Sequence, residues 1–140
     1  MITENSKREE NREFVQHFYE IIFEPEWWDL LHEDTVFEFP YAPSLGIPER
    51  FAGRDTVTAY LKVMVEQVGA LKFRDIVIVG TEDPHLFVNE YKATLTTPKG
   101  TNYDQVYITK VRVKDGKVIL FREFWDPARV IQAGGEFTAN

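Results

Sequence analysis

The sequence predicts a single α+β domain over residues 1–140, with helices laid on one side of a curved sheet and a cavity between the layers. Three observations carry that prediction. Apolar residues recur at helical spacing in the first half of the chain. Four alternating β-type runs fill the second half. Asp115-Gly116 separates the last two runs as a tight-hairpin signal. At 140 residues there is enough chain for one core and none for a second domain.

Residues 4–23 place Phe14, Val15, Phe18, Ile21 and Ile22 on one side of a helix and polar residues on the rest, and Pro25 ends it. Glu26 to Leu31 gives one or two further helical turns with Trp27 and Trp28 to bury. Thr35 to Phe39 is a short strand, and Pro40 to Pro48 is a loop too rich in proline for regular structure, whose apolar residues suit a lid or mouth. The third helix follows Phe51-Ala52-Gly53, carries Val57, Tyr60, Leu61, Met64, Val65 and Val68 at steps of 3, 4 and 7, and stops at Gly69. An antiparallel meander comes next: Leu71 to Val79, Leu86 to Thr97, Asn102 to Lys114, and a last strand from Gly116 to Trp125. Asp126-Pro127 then opens a short helix through Ala133 that ends at Gly134-Gly135.

Composition narrows the function. With 23 acidic and 16 basic residues, the net charge of −7 argues against a nucleic-acid partner, and Lys110, Arg112, Lys114 and Lys117 read as a solvated sheet edge. There is no cysteine, which fits a reducing compartment. The polar, acidic N-terminus and the lack of any long apolar run predict a cytoplasmic protein with no membrane partner. His17, His32 and His85 are scattered without ligand spacing, so no metal is expected; no phosphate loop or nucleophile elbow is present, and no cofactor is expected.

The last strand carries the chemistry. Every second residue along Ile119, Phe121, Glu123 and Trp125 is large and apolar except Glu123, so a period-2 strand buries one carboxyl among rings. Burial raises a carboxyl pKa, which makes Glu123 the acid/base candidate. A buried glutamate paired with an arginine or a tyrosine hydroxyl to hold the sheet is the structural alternative. Asp126 offers a second carboxylate or a helix cap. On the third long strand Tyr107 shares its phase with Tyr103, Gln105 and Thr109, and with Val111 and Val113, which predicts an inward face able to orient a ligand. Asn89 and Tyr91 are similar candidates on the preceding strand. His17, between Phe14 and Ile21, could meet Glu123. Phe39, Tyr60, Phe121 and Trp125, with Trp27, Trp28, Phe37 and Tyr41, could wall a pocket for a flat molecule or serve as ordinary core.

The segment Leu31-His32-Glu33-Asp34-Thr35-Val36-Phe37, the Phe51-Ala52-Gly53 step and Asp115-Gly116-Lys117-Val118 before a strand ending Trp125-Asp126-Pro127 resemble the nuclear transport factor 2-like superfamily. Within it the chain resembles the SnoaL-like polyketide cyclases and the ketosteroid isomerase relatives. Thr81-Glu82-Asp83-Pro84-His85, Tyr107-Ile108 and Arg122-Glu123-Phe124, with Pro127 three residues on, are similar to the A/B proteins of phenazine biosynthesis. The resemblance implies a cone-shaped mixed or antiparallel sheet with about three N-terminal helices on its concave face and a short C-terminal helix. It also implies a cofactor-free isomerase, cyclase or condensation enzyme acting on a small hydrophobic molecule.

Site residues carry over unevenly. The aspartate base of the ketosteroid isomerases falls at Phe39, their oxyanion-binding aspartate at Thr109 and their first-helix tyrosine near Val15, so that isomerase chemistry is not expected. Glu123 matches an active-site acid of the phenazine proteins, whose third-helix ligand contacts fall near Tyr60 and Met64. The alternative is a non-catalytic ligand-binding or interaction domain. Val106, Ile108, Val118, Leu120 and Phe124 would then form an outer sheet patch, on which a homodimer is expected.

Overall fold

A computed structural model describes residues 2–134 and shows a six-stranded, curved but unclosed mixed sheet with helices on one side. Helix α1 (Glu4–Glu20) starts at Thr3, whose side chain accepts the Ser6 amide at 3.0 Å. Its buried stripe is Asn11, Val15, Phe18 and Tyr19. Phe14 and Ile21 are only half-buried, and His17 lies exposed on the far side. Pro25–Leu30 is a 3-10 segment rather than an α-turn, with Pro25 at its start and Trp27 as its one buried residue. The Trp27 indole donates to the Phe18 carbonyl at 3.0 Å, satisfying a last-turn acceptor of α1.

Strand β1 (Leu31–Glu38) begins four residues before the expected Thr35, because Leu31 already pairs with Val118. Phe39 follows it directly. The proline-rich loop contains a single 3-10 turn, Ala42–Leu45, with Ala42 buried. Strand β2 (Arg50–Ala52), pairing antiparallel with β1, was not anticipated: three residues are too few to show a period. Helix α2 (Arg54–Val68) stops at Gly69, whose φ of 95° only glycine adopts readily. Then come β3 (Phe73–Gly80), β4 (Leu86–Thr96), β5 (Asn102–Lys114) and β6 (Lys117–Trp125), with Asp115 and Gly116 at φ 53° and 71° in the last hairpin. Leu71 is therefore outside β3. Helix α3 (Pro127–Gln132) is capped by Asp126, which accepts the Ala128 amide at 3.0 Å. Of the expected stop Gly134-Gly135, Gly135 lies outside the described residues.

The sheet order is β2-β1-β6-β5-β4-β3, with β6 parallel to β1 and the other pairs antiparallel. The parallel contact is invisible to local periodicity, since it joins segments more than 80 residues apart. Between Arg112 and Val113 the β5–β6 register shifts, and this changes the phase of the last strand. Val118 is therefore fully buried while Ile119 is half-buried, so the expected inward run holds for Phe121 and Glu123 but not for Ile119. α1 packs against β3 and α2 against β1, enclosing the core over one sheet face. Among the described residues no helix is long and apolar enough to cross a membrane.

Candidate active site

Strand register assembles the site in rows. Asn89, Thr109 and Glu123 stand side by side across β4, β5 and β6; Tyr91, Tyr107 and Trp125 form the next row, and Phe121 pairs with both Val111 and Phe37 in the row behind. Side chains in one row share a face, so three strands turn these groups toward the face covered by α1 and α2.

Glu123 is 7% exposed, and its surroundings are rings and hydroxyls rather than charges. The Tyr91 hydroxyl donates to its Oε2 at 2.5 Å. Tyr91 also bonds the Thr109 hydroxyl; because the Tyr91 proton goes to Glu123, Thr109 must be the donor to Tyr91. Beside this pair, Asn89 donates to the Tyr19 hydroxyl at 2.9 Å and accepts the Val79 amide at 3.4 Å. The second oxygen of Glu123 has no hydrogen-bond partner among the described residues.

Burial, only partly offset by the Tyr91 hydrogen bond, pushes the Glu123 carboxyl up to about 8. It is therefore mostly protonated at neutral pH. Burial likewise pushes Tyr103 up to about 12 and raises Tyr19, Tyr60, Tyr91 and Tyr107, with the Glu123 charge opposing their ionisation as well. A folded-state pKa above the unfolded one favours folding fully below about 4.5, and that contribution is lost as pH rises through about 8. Wild-type protein should thus lose on the order of a few kcal/mol between pH 5 and 9 relative to Glu123→Gln, measured by urea denaturation. Parallel curves for the two proteins would contradict the burial argument.

Two adjoining voids meet at Glu123. One, of about 60 Å³, is lined by Phe39, Tyr60, Tyr103, Tyr107 and Trp125, with Ala42, Ile47 and Val130 contributed by the loop and α3. The other, of about 50 Å³, lies among Trp27, Phe37, Phe73 and Phe121. Phe39, Met64 and Leu71 line both. Each void is under half of the about 150 Å³ that holds a benzene, so a flat ligand enters only as neighbours move. Met64, unbranched and shared by both voids, is the side chain most able to give way.

The structure brings together most of the residues singled out from sequence. Phe39, Tyr60, Tyr107, Trp125 and Phe121 line the voids, and Tyr91 and Thr109 bond the acid or its partner. Four stand elsewhere. His17 is exposed, because α1 buries the stripe through Val15 and Phe18 and turns His17 away, so it cannot meet Glu123. Gln105 donates to the Tyr103 hydroxyl and the Asp126 carbonyl and accepts the Val106 and Asp126 amides; it fastens the β6–α3 turn and lines neither void. Asn89 is fully buried behind Tyr19 and also lines neither. Asp126 caps α3 and faces the outer groove. Sequence reasoning overlooked Tyr19, one helical turn past the Val15 position where a first-helix tyrosine was sought; its i+4 spacing from Val15 was the available signal. It also overlooked Val130, the buried residue of α3, which lines the larger void.

Comparison with known proteins agrees with this architecture. Residues 15–121 match the SnoaL-like domain. Over 110 residues, 78% of this chain and 77% of the relative, the sequence is 38% identical to an uncharacterized PhzA/B-like protein of Pseudomonas aeruginosa. It is 32% identical over 113 residues to protein YesE of Bacillus subtilis, covering 79% of this chain and 76% of the relative. The crystal structure of a phenazine biosynthesis-related protein from Pseudomonas aeruginosa superposes with a TM-score of 0.78 at 20% identity, over 93% of this chain and 88% of that one. The matched span and the relatives' identity place this chain in the SnoaL-like family, on the nuclear transport factor 2-like fold.

Proposed function

We propose that the protein is a cofactor-free enzyme of the isomerase, cyclase or condensation kind, in which Glu123 transfers a proton to or from a flat apolar carbonyl or aromatic compound. One observation carries this reading: a single carboxyl, sealed among rings, keeps one oxygen on Tyr91 and the other unpartnered at the junction of two voids. A buried group with a pKa near working pH, set among aromatic walls, suits proton transfer. Tyr91 positions the carboxyl, and Tyr107 and Trp125 shape the wall. The family supports the class of reaction. A panel of aromatic and polyketide-like carbonyl compounds, incubated with wild-type and Glu123→Gln protein and followed by mass spectrometry, tests it. Conversion by the wild type alone is the expected result. Ligand binding without conversion of any compound would instead favour a binding domain, a reading supported by how fully Gln105 and Asn89 are committed to the fold.

The protein is further proposed to act in the cytoplasm as a homodimer joined through the outer sheet face. Val77, Val106 and Ile108 are 51%, 38% and 47% exposed there, beside Tyr41 packed edge-on against Phe124 at 5.6 Å. They flank a groove of about 640 Å³. Val118, expected in this patch, is fully buried because the β5–β6 register shift turns it inward. Light scattering after size exclusion should give twice the chain mass, and Val106→Lys with Ile108→Lys should give a monomer. A wild-type monomer at high concentration would refute the interface.

A further inference from the structure

We infer that the chamber recognises a ligand bearing a basic nitrogen, held as an ammonium group against Glu123 inside a box of aromatic rings. The inference rests on the proposal that Glu123 faces the ligand, and it narrows the class of that ligand.

The larger void sets five rings, Phe39, Tyr60, Tyr103, Tyr107 and Trp125, around one carboxyl. Ring faces attract cations through their quadrupole, most strongly where water is excluded. Among the described residues no lysine, arginine or histidine lines either void, so a carboxylate or phosphate ligand would meet no counter-charge from them, next to an acid. A neutral carbonyl finds the Glu123 proton and the Tyr60 hydroxyl, but it carries no charge for the ring faces to attract. Tyr91 already serves Glu123, and Tyr103 takes hydrogen bonds from Gln105 and Tyr107. An ammonium group, by contrast, uses both the unpartnered oxygen of Glu123 and the ring faces. The net charge of −7 also draws cations toward the protein and repels anions.

The protons balance in either direction of arrival. A free amine takes the Glu123 proton, breaking O–H and forming N–H; an ammonium ion displaces that proton to solvent. Both routes end in the same ammonium–carboxylate pair. Below about pH 8 the displaced proton makes binding of the ammonium form rise about tenfold per pH unit, levelling above it. The titratable groups facing Glu123 are Tyr19 of α1, Tyr60 of α2, Tyr91 of β4, and Tyr103 and Tyr107 of β5. Burial keeps all of them protonated through this range. β1, the loop and α3 offer Phe37, Phe39, Ala42, Ile47 and Val130, none of which ionises, while Arg129 is drawn to Asp126.

Benzylamine, benzyl alcohol and benzoate share a ring and differ in charge, so titrating each into the full chain between pH 6 and 8, followed by NMR shifts, tests the idea. Benzylamine should bind at least tenfold more tightly than benzyl alcohol at pH 8, with benzoate weakest, and the advantage should shrink toward pH 6. Glu123→Gln should equalise amine and alcohol. Trp125→Leu should weaken the amine about fivefold and spare the alcohol, which keeps the test decisive if Glu123→Gln folds poorly. Benzyl alcohol binding as tightly as benzylamine at pH 8 would overturn the nitrogen inference while leaving Glu123 as a ligand contact. No binding by any of the three would remove both.

Discussion

Glu123→Gln is expected to lower turnover by about 10²–10⁴-fold, the usual contribution of one positioned acid or base, with ligand affinity for neutral compounds nearly unchanged. Glutamine keeps the shape of the side chain and an oxygen that can accept the Tyr91 hydrogen bond, so the chamber survives while the exchangeable proton is gone. The wild-type rate should also depend on pH. If Glu123 acts as the acid, the rate falls as pH rises through about 8, where the buried carboxyl loses its proton; if it acts as the base, the rate climbs over the same interval. Tyr91→Phe, which removes a positioning hydroxyl, should shift that midpoint upward, because the hydrogen bond favours the charged form. A Glu123→Gln protein that turns over substrate at the wild-type rate would end the enzymatic assignment of this residue.

Trp27→Ala should cost about 3–5 kcal/mol, the range for emptying a buried aromatic site, and lower Tm by roughly 10–20 °C. Trp27 is 1% exposed and packs on Phe18, Phe23 and Trp28 at 5.1, 5.2 and 5.0 Å between ring centroids. Its loss also strands the Phe18 carbonyl at the end of α1. Trp27→Phe separates the two effects, keeping a ring and losing only the indole donor, at about 1–2 kcal/mol. Differential scanning calorimetry of the two variants reads both. A loss below about 1 kcal/mol in the alanine variant would mean that the aromatic cluster closes over the gap.

The inward placement of Glu123 could be read from the chain because a period-2 strand leaves few choices of face, and that of Tyr107 because Val111 and Val113 share its phase. The Asp115-Gly116 hairpin was equally legible, since its backbone demands positive φ at both positions. What escaped depends on how distant elements dock. His17 and Tyr19 lie two residues apart on α1, and only the seating of that helix on β3 decides which one reaches the sheet. The inward turn of Val118 follows from a register shift against β5, and the parallel partnership of β1 with β6 joins segments more than 80 residues apart. Gln105 looked like a ligand contact because its phase is inward; its amide is spent on the main chain of Asp126, which no local pattern announces.

The half-buried indole of Trp125 borders the larger void on one side and the outer groove on the other. One intrinsic fluorophore therefore stands in the wall between the interior and the outer surface, so ligand occupancy and subunit association would both alter its emission. Among the three tryptophans Trp125 alone lines both the larger void and the outer groove, so the protein carries its own optical reporter for asking whether filling the interior is felt on the outside.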